Sequence, residues 1–403
     1  MTVSTVYDVT AWTIPGRPNV TAYSDIGAVI NSIIADIKAK QPNQAAKPGA
    51  VIYIPPGDYS LKTRVVIDIS YLQIKGSGHG FASLSIRYNT ADTSGWRELW
   101  PGASHIKVEN TDGNHEAFLV SRSGAPRLSS IEFRDFCIDG LAFTPTQNSY
   151  TNGKVGIRIA SDNDSLKVAG MGFVYLEHAL INNGADAFDV TDNFIAECGS
   201  CVELTGASQA VKVTNNHIGA GFVGFSIFAE NAEGLLVQGN NIFPRGRSVV
   251  HLKTSARCSI TANRFQGFYP GMIDFEGVNK EHLIASNHFR RVPEGFPPLQ
   301  GFNNGKDDLY GVVHLVGDNN MVSTNIFTFD VPPAAITPSG ATPTIILVAG
   351  GDGNFISNNH FVTNVATKHV VLDGSTTNTK VLDSGTADQI QAYTTNYVLR
   401  PTP

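Results

Sequence analysis

The sequence has little charge, few cysteines and no long apolar run. Only 16% of its 403 residues are charged, and 29 basic against 35 acidic residues give a net charge of −6. Without a basic surplus, binding to nucleic acid or to an anionic membrane surface is not expected. The best apolar run, TIILVAGG at 344–351, is far shorter than the roughly 18 residues that a membrane-spanning helix needs. Four cysteines are too few for a disulfide scaffold in a chain of this length.

An asparagine recurs through the middle of the chain within the pattern apolar-x-x-Asn-x-apolar, as in VTNNHI at 213–218 and ISNNHF at 356–361. The recurring residues are Asn193, Asn216, Asn240, Asn263, Asn287, Asn325 and Asn359, spaced by 23, 24, 23, 24, 38 and 34 residues. The periods contain short alternating strands and no room for a helix, which predicts a parallel β-helix. A β-propeller is disfavoured because its blades need roughly 40 residues. We expect the asparagines to hydrogen-bond to one another along the stack.

The two ends of the chain fit a capped stack. Apolar residues at helical spacing predict a helix over 25–37, which would cover the open end of the coils. The following IPPGDY at 54–59 and YLQIKGSG at 71–78 resemble the amino-terminal cap of the pectate-lyase-like superfamily. The prediction is one all-β domain over 1–403, with caps at about 1–50 and about 363–403 around coils at about 51–362. Long insertions near 140–153 and 291–308 are the expected walls of a groove.

Alternation along the strands selects a set of outward polar residues. A polar residue between two apolar ones points away from the core, which places Glu203, His251 and Asp274 on one outer face together with Ser226 and Phe228. Carboxylates, an imidazole and an aromatic ring on one face are typical of a sugar-binding groove. A solvated sheet face is the alternative.

Asp192 immediately precedes Asn193 at a predicted turn. From its position alone it is expected to be a turn residue, because Asp and Asn are common in turns. No acidic cluster indicates a calcium site, and no glycine-rich loop opening a helix indicates a phosphate site.

Several longer segments resemble the inulin fructotransferases and their relatives, the difructose dianhydride hydrolases. The segments are MGFVYLEHALI at 171–181, NFIAECGSCVELTG at 193–206, GLLVQGNNIFPRGRS at 234–248, QGFYPGM at 266–272 and DDLYGVVH at 307–314. The resemblance covers essentially the whole chain. It implies a right-handed parallel β-helix and a homotrimer with active sites near subunit boundaries.

The resemblance also implies the catalytic pair. In this family an aspartate and a glutamate eleven residues apart act together, which here selects Asp192 and Glu203. Cleavage of a β-2,1 fructosidic bond passes through an oxocarbenium-like state and needs a proton donor on one side and a carboxylate on the other. We assign Glu203 as general acid and Asp192 as base or electrostatic partner, although the sequence leaves this division of roles open. No metal or organic cofactor is implied.

Four further residues are predicted to contact the substrate on the evidence of the outward face alone. Phe268 and Tyr269 are expected to stack on a furanose ring. His251 and Asp274 are expected to bind hydroxyl groups.

The function that the resemblance implies is inulin fructotransferase, which cleaves terminal difructose from inulin by intramolecular transfer and releases difructose dianhydride III or I. The alternative is a difructose dianhydride III hydrolase, which uses water and yields inulobiose. A non-catalytic β-helix carbohydrate-binding module is a remote alternative, in which Asp192→Ala and Glu203→Ala would change nothing.

The first residues, MTVSTVYDVT, contain neither a charged n-region nor an apolar h-region, so no signal peptide is visible. This pattern fits either a cytosolic protein or one whose leader has been removed. We expect a secreted enzyme, since polymeric inulin does not enter cells, and keep the cytoplasm as the alternative.

Overall fold

The structure is a computed structural model that describes residues 5–40, 49–80, 102–124, 126–141, 150–219, 221–243, 246–292, 304–330, 342–382, 390–391 and 397–399. Most of both predicted insertions, 142–149 and 293–303, lies outside these residues. The chain forms two compact units, residues 1–202 and 203–403, and the boundary falls inside the strand Ser200–Thr205. In the described residues no helix combines the length and the apolar character needed to cross a membrane.

In the first unit the strand Thr5–Asp8 is followed by the helix Ala22–Lys40, which confirms the helix predicted for 25–37. Its apolar face is buried, with Ile26, Ile30 and Ile33 fully inaccessible to solvent. Asp25 has a non-helical backbone, and its Oδ1 accepts a hydrogen bond from the Ala28 N–H at 3.3 Å. A carboxylate in this position caps the first turn of the helix.

The strands of the first unit form three long parallel sheets and one short one, and successive coils of the chain add one strand to each sheet. The first sheet contains Thr5–Asp8, Ala50–Tyr53, Leu72–Lys75, Glu132–Arg134, Lys167–Ala169 and Asp189–Thr191. The second contains Gly57–Leu61, Ser104–Val108, Cys137–Asp139, Gly172–Val174 and Phe194–Ala196. The third contains Val65–Ile67, Glu116–Val120, Val155–Ile159 and His178–Asn183, and the short sheet Leu128–Ser129, Asn163–Asp164 and Ala185–Asp186.

The second unit repeats this order. Its first sheet contains Lys212–Thr214, Leu236–Gln238, Ser259–Thr261, Leu283–Ala285, Met321–Ser323, Phe355–Ser357, Lys380–Leu382 and Tyr397–Leu399. The second contains His217–Gly219, Asn241–Ile242, Arg264–Gly267, His288–Arg291, Ile326–Phe329 and His360–Thr363. The third contains Ser200–Thr205, Phe225–Glu230, Ser248–Lys253, Ile273–Glu276, Val313–Leu315, Thr344–Val348, Lys368–Leu372 and Ile390–Gln391. Two short pairs are Ser208–Gln209 with Ala232–Glu233, and Gly351–Asp352 with Thr376–Thr377.

This arrangement is the predicted parallel β-helix. Inward residues stack in register from coil to coil, as in the column Val213, Val237, Ile260, Ile284, Val322, Ile356 and Val381. The members of this column are at most 1% exposed. Because each fully buried aliphatic side chain contributes about 1.5–3 kcal/mol, such columns supply the core of the stack.

The predicted asparagine ladder is confirmed in the second unit. The Nδ2 of Asn216 donates to the Oδ1 of Asn240 at 2.9 Å, and Asn263 donates to Asn287 in the same way at 3.0 Å. The same hydrogen bond from Nδ2 to Oδ1 joins Asn240 to Asn263, Asn287 to Asn325 and Asn325 to Asn359. A second ladder was not predicted: the Nδ2 of Asn320 donates to the Oδ1 of Asn354 at 3.0 Å.

Strand pairing continues past residue 363, where a carboxyl-terminal cap was expected. Lys368–Leu372 pairs with Thr344–Val348, and Lys380–Leu382 pairs with Phe355–Ser357. The prediction of one domain with two caps stays a prediction.

Candidate active site

Asp192 lies in the turn that precedes a ladder asparagine. Its backbone is left-handed, with φ 58°, and its side chain is exposed. The hydroxyl of Thr191 donates to its Oδ2 at 3.2 Å. The equivalent residue of every later ladder turn is also left-handed, namely Asn215, Gly239, Ala262, Ser286, Thr324 and Asn358. Since alanine, serine and threonine also fill this position, the turn does not require an aspartate, and the carboxylate is an exposed charge beyond what the fold demands.

Glu203 is the first residue of the second unit and lies on the strand Ser200–Thr205. It is half-buried between the buried residues Val202 and Leu204, so its side chain points outward as alternation predicted. In the third sheet this strand is followed by Phe225–Glu230. Asp192 belongs to the first unit.

Three residues of the predicted column, Phe228, His251 and Asp274, stack in the second unit, but His251 and Asp274 are buried and not open to solvent as predicted. Phe228, His251, Asp274 and His314 are direct register partners on four successive strands. Ser226, which was expected on the same face, is buried. His314 extends the column by one coil beyond the predicted residues.

Asp274 is the centre of a cluster of hydrogen-bond donors, which we call the Asp274 cluster. Its Oδ2 lies 2.6 Å from the Lys306 Nζ and 3.2 Å from the His251 Nδ1. Its Oδ1 accepts from the Tyr310 hydroxyl at 2.8 Å and lies 3.2 Å from the His314 Nδ1. Burial alone would raise the pKa of Asp274, but the hydrogen bonds from the two histidines and the charge of Lys306 hold it far below its usual range.

His251 is buried within this cluster. Its Nε2 lies 3.2 Å from the Glu276 Oε2, so both ring nitrogens face carboxylates. The ring stacks on Phe228 with 5.6 Å between centroids and contacts Phe225 at 4.9 Å. The structure therefore brings together the predicted residues His251 and Asp274, with two half-buried phenylalanines beside them.

Lys306, Tyr310 and His314 were not singled out from the sequence. His314 lies between the apolar residues Val313 and Leu315, so it shows the same alternation that selected Asp274. It follows Asp274 by forty residues, however, and not by the roughly 23 residues of one regular coil. Because the insertion near 291–308 lies between Asp274 and His314, the regular spacing of one coil cannot be read from the sequence there. The segment DDLYGVVH, which carries Tyr310 and His314, was the available signal.

The two predicted stacking residues differ in exposure. Phe268 is only 2% exposed and packs edge-on against Phe243 with 6.0 Å between centroids. Its burial argues against the predicted stacking on a furanose ring, since both ring faces lie inside the protein. Tyr269 is half-buried.

Over the part of the chain that the structure describes, no group of three or more His, Cys, Asp or Glu side chains is arranged to hold a metal ion. All four cysteines are buried, and none of them forms a disulfide in the part of the chain that the structure describes. Burial raises the pKa of the Cys198 thiol, which disfavours the reactive thiolate.

The fold defines the class: a parallel β-helix protein, whose third sheet carries carboxylates, imidazoles and aromatic rings in its second unit. The chain is 55% identical to the curated "Inulin fructotransferase [DFA-I-forming]" of Arthrobacter globiformis, over 99% of this chain and 100% of the relative. The chain belongs to the inulin fructotransferase family and is an enzyme.

Two further comparisons agree. A family model described as the β-helix repeat of inulin fructotransferase matches residues 286–403. The fold is similar to the DFA-IIIase of Arthrobacter chlorophenolicus A6 without its lid in complex with GF2, with a TM-score of 0.91 and 50% identity over 99% of each chain. The same DFA-IIIase in complex with DFA-III gives a TM-score of 0.91 and 47% identity, over 99% of this chain and 98% of that chain.

Proposed function

We propose that this enzyme cleaves terminal β-2,1-linked difructose from inulin by intramolecular fructosyl transfer and releases a difructose dianhydride. The observation that carries the proposal is the 55% identity, along 99% of the chain, to a DFA-I-forming inulin fructotransferase. We expect DFA-I as the product because that relative forms it.

Asp192 and Glu203 are the proposed catalytic carboxylates. Glu203, half-buried on the outer face, donates a proton to the leaving oxygen as the fructosidic bond stretches. Asp192 acts as base or electrostatic partner at the opposite side of the sugar. The attacking hydroxyl belongs to the adjacent fructosyl unit, so the transfer is intramolecular and avoids much of the entropic cost of bringing two molecules together.

The outward face around Tyr269 and the Asp274 cluster is the proposed substrate surface. Half-buried Tyr269 keeps its proposed stacking role. His251 and Asp274, being buried and bonded within the protein, support the neighbouring exposed groups in this proposal. Phe268 lies behind the same surface as packing.

The experiment is product analysis by chromatography after incubation with inulin, and in parallel with purified DFA-I and DFA-III. A dianhydride peak released from inulin supports the proposal. Absence of any dianhydride from inulin, with the protein folded by circular dichroism, contradicts it.

Hydrolysis of a dianhydride is the second candidate. It is favoured by the similarity to DFA-IIIase structures at 47–51% identity. In this case the same incubations yield inulobiose from DFA-III and no dianhydride from inulin.

The homotrimer with active sites near subunit boundaries also remains a proposal. Light scattering at working concentrations should give three times the 43.2 kDa of one chain, and a monomer mass would contradict it. Secretion is the proposed location, with the cytoplasm as the alternative, and fractionation of the producing cells distinguishes the two.

A further inference from the structure

The Asp274 cluster fixes the orientation of His314. The His314 Nδ1 lies 3.2 Å from the Asp274 Oδ1. Because an ionised carboxylate only accepts hydrogen bonds, this contact places a proton on Nδ1 and fixes Nε2 as the ring nitrogen that is not bonded to Asp274. Among the residues that the structure describes, no protein group is bonded to this Nε2, and the side chain is 12% exposed.

Neighbouring side chains hold both members of this pair. The Tyr310 ring stacks on His314 with 4.1 Å between centroids and an angle of 19°. The Tyr310 hydroxyl and the Lys306 Nζ both bind Asp274. With its oxygens occupied by these donors, Asp274 has little capacity left for a ligand, and its effect is to orient the imidazole.

The contrast with His251 identifies which imidazole a ligand can use. The His251 Nε2 lies beside Glu276, and the ring is covered by Phe225 and Phe228. His314 has the same Nδ1 contact to Asp274 but no such carboxylate at Nε2 within the described chain. A ring nitrogen held in a fixed orientation can form a hydrogen bond with a hydroxyl group, which both donates and accepts and which every fructosyl unit presents.

His314 is distant from the proposed general acid. In the third sheet the strand Val313–Leu315 is the fourth after Ser200–Thr205, which carries Glu203. Four strand spacings amount to about 19 Å, which is longer than a difructose unit. A hydroxyl bound at His314 therefore belongs to a fructosyl unit remote from the bond that Glu203 attacks.

We propose that His314 binds a hydroxyl group of a remote fructosyl unit of the inulin chain, and that Asp274 is its positioning residue. This rests on the proposed function and adds a subsite that favours long substrates over short ones. Uniform binding of this kind lowers KM without changing kcat.

The test measures kcat and KM for His314→Ala on polymeric inulin and on a fructo-oligosaccharide too short to span both sites. The expected result is a KM for inulin raised about tenfold, the equivalent of one hydrogen bond, with kcat and the short-substrate KM unchanged. The matched control is His360→Ala, an exposed imidazole on the strand His360–Thr363, which should change neither constant.

Asp274→Asn tests the positioning role. It should reproduce the KM increase on inulin, and adding it to His314→Ala should produce no further increase, because both variants remove the same contact. His314→Gln provides a second variant should alanine lower the yield of folded protein, and it should raise the inulin KM in the same way.

An unchanged inulin KM, or an equal increase on both substrates, overturns the subsite. A wild-type enzyme that forms no dianhydride from inulin instead overturns the proposed function, so the two failures are distinct.

Discussion

The first unit places one imidazole between two carboxylates, whereas in the second unit two imidazoles share the Asp274 carboxylate and only one of them, His251, meets a second carboxylate. His105 lies 2.7 Å from Asp58 and 2.9 Å from Asp139, one carboxylate at each ring nitrogen. The Asp274 carboxylate lies 3.2 Å from the Nδ1 of His251 and 3.2 Å from the Nδ1 of His314, so the Nε2 of His314 is not bonded to Asp274. Both ring nitrogens of His105 and of His251 are therefore held by carboxylates, whereas His314 meets one carboxylate within the described residues and keeps its Nε2 for a ligand.

The largest expected effect on stability comes from breaking the buried pair that anchors the segment next to the Asp274 cluster. Arg291 and Asp308 form an ion pair with side chains 1% and 0% exposed. Asp308 is two residues from Lys306 and from Tyr310 in the sequence. Arg291→Met leaves the Asp308 carboxylate buried and uncompensated, which should lower the free energy of unfolding in urea by about 3–5 kcal/mol.

The double variant Arg291→Met/Asp308→Leu removes both charges and should recover most of that loss. Equal losses in the single and double variants would show that packing, and not the uncompensated charge, determines the effect.

A pH effect of comparable size is expected in the first unit. Glu197 is buried and accepts a hydrogen bond from the Tyr150 hydroxyl at 2.7 Å. Burial raises the pKa of Glu197 from 4.5 to about 8. The folded state therefore keeps a proton that the unfolded chain releases, and its contribution to stability is complete below pH 4.5 and is lost as pH rises towards about 8.

Glu197→Gln should remove this loss, which is on the order of a few kcal/mol. Urea unfolding near pH 4.5 and near pH 8 measures the free energy of unfolding at both ends of this pH range. Parallel pH profiles for the variant and the wild type would contradict the assignment.

The smallest effect is expected from His105→Gln, the counterpart of the His314 variants in the first unit. It disrupts a buried contact to Asp139 and should cost about 1–3 kcal/mol of unfolding free energy. The kcat and KM on inulin and on the short substrate should stay at wild-type values, because His105 is 2% exposed and bonded at both nitrogens. A KM change confined to inulin would remove the distinction between the two clusters.

The coil architecture was predictable because its signal is periodic. The spacing of Asn216, Asn240 and Asn263 identified the turns, and apolar spacing identified the helix that contains Ile30 and Ile33. The second ladder, from Asn320 to Asn354, has too few members to stand out in the sequence.

The outward face was predictable only where the period is regular. His251 and Asp274 are 23 residues apart and were found by alternation, whereas His314 follows an insertion and was missed. Burial of Phe268 could not be predicted, because it depends on packing against Phe243 on a neighbouring coil. Asp192 and Glu203 rest on family resemblance, since neither turn geometry nor alternation distinguishes a catalytic carboxylate from a solvated one.

The most direct test of the enzymatic account is the rate of dianhydride release from inulin by Glu203→Gln, compared with Glu230→Gln. Glu230 is a half-buried carboxylate on the next strand, paired with Lys253 at 3.0 Å, and its variant should retain the wild-type rate. Loss of the positioned proton donor should lower the rate of Glu203→Gln about a hundredfold or more. A Glu203→Gln rate close to that of the wild type would contradict the account.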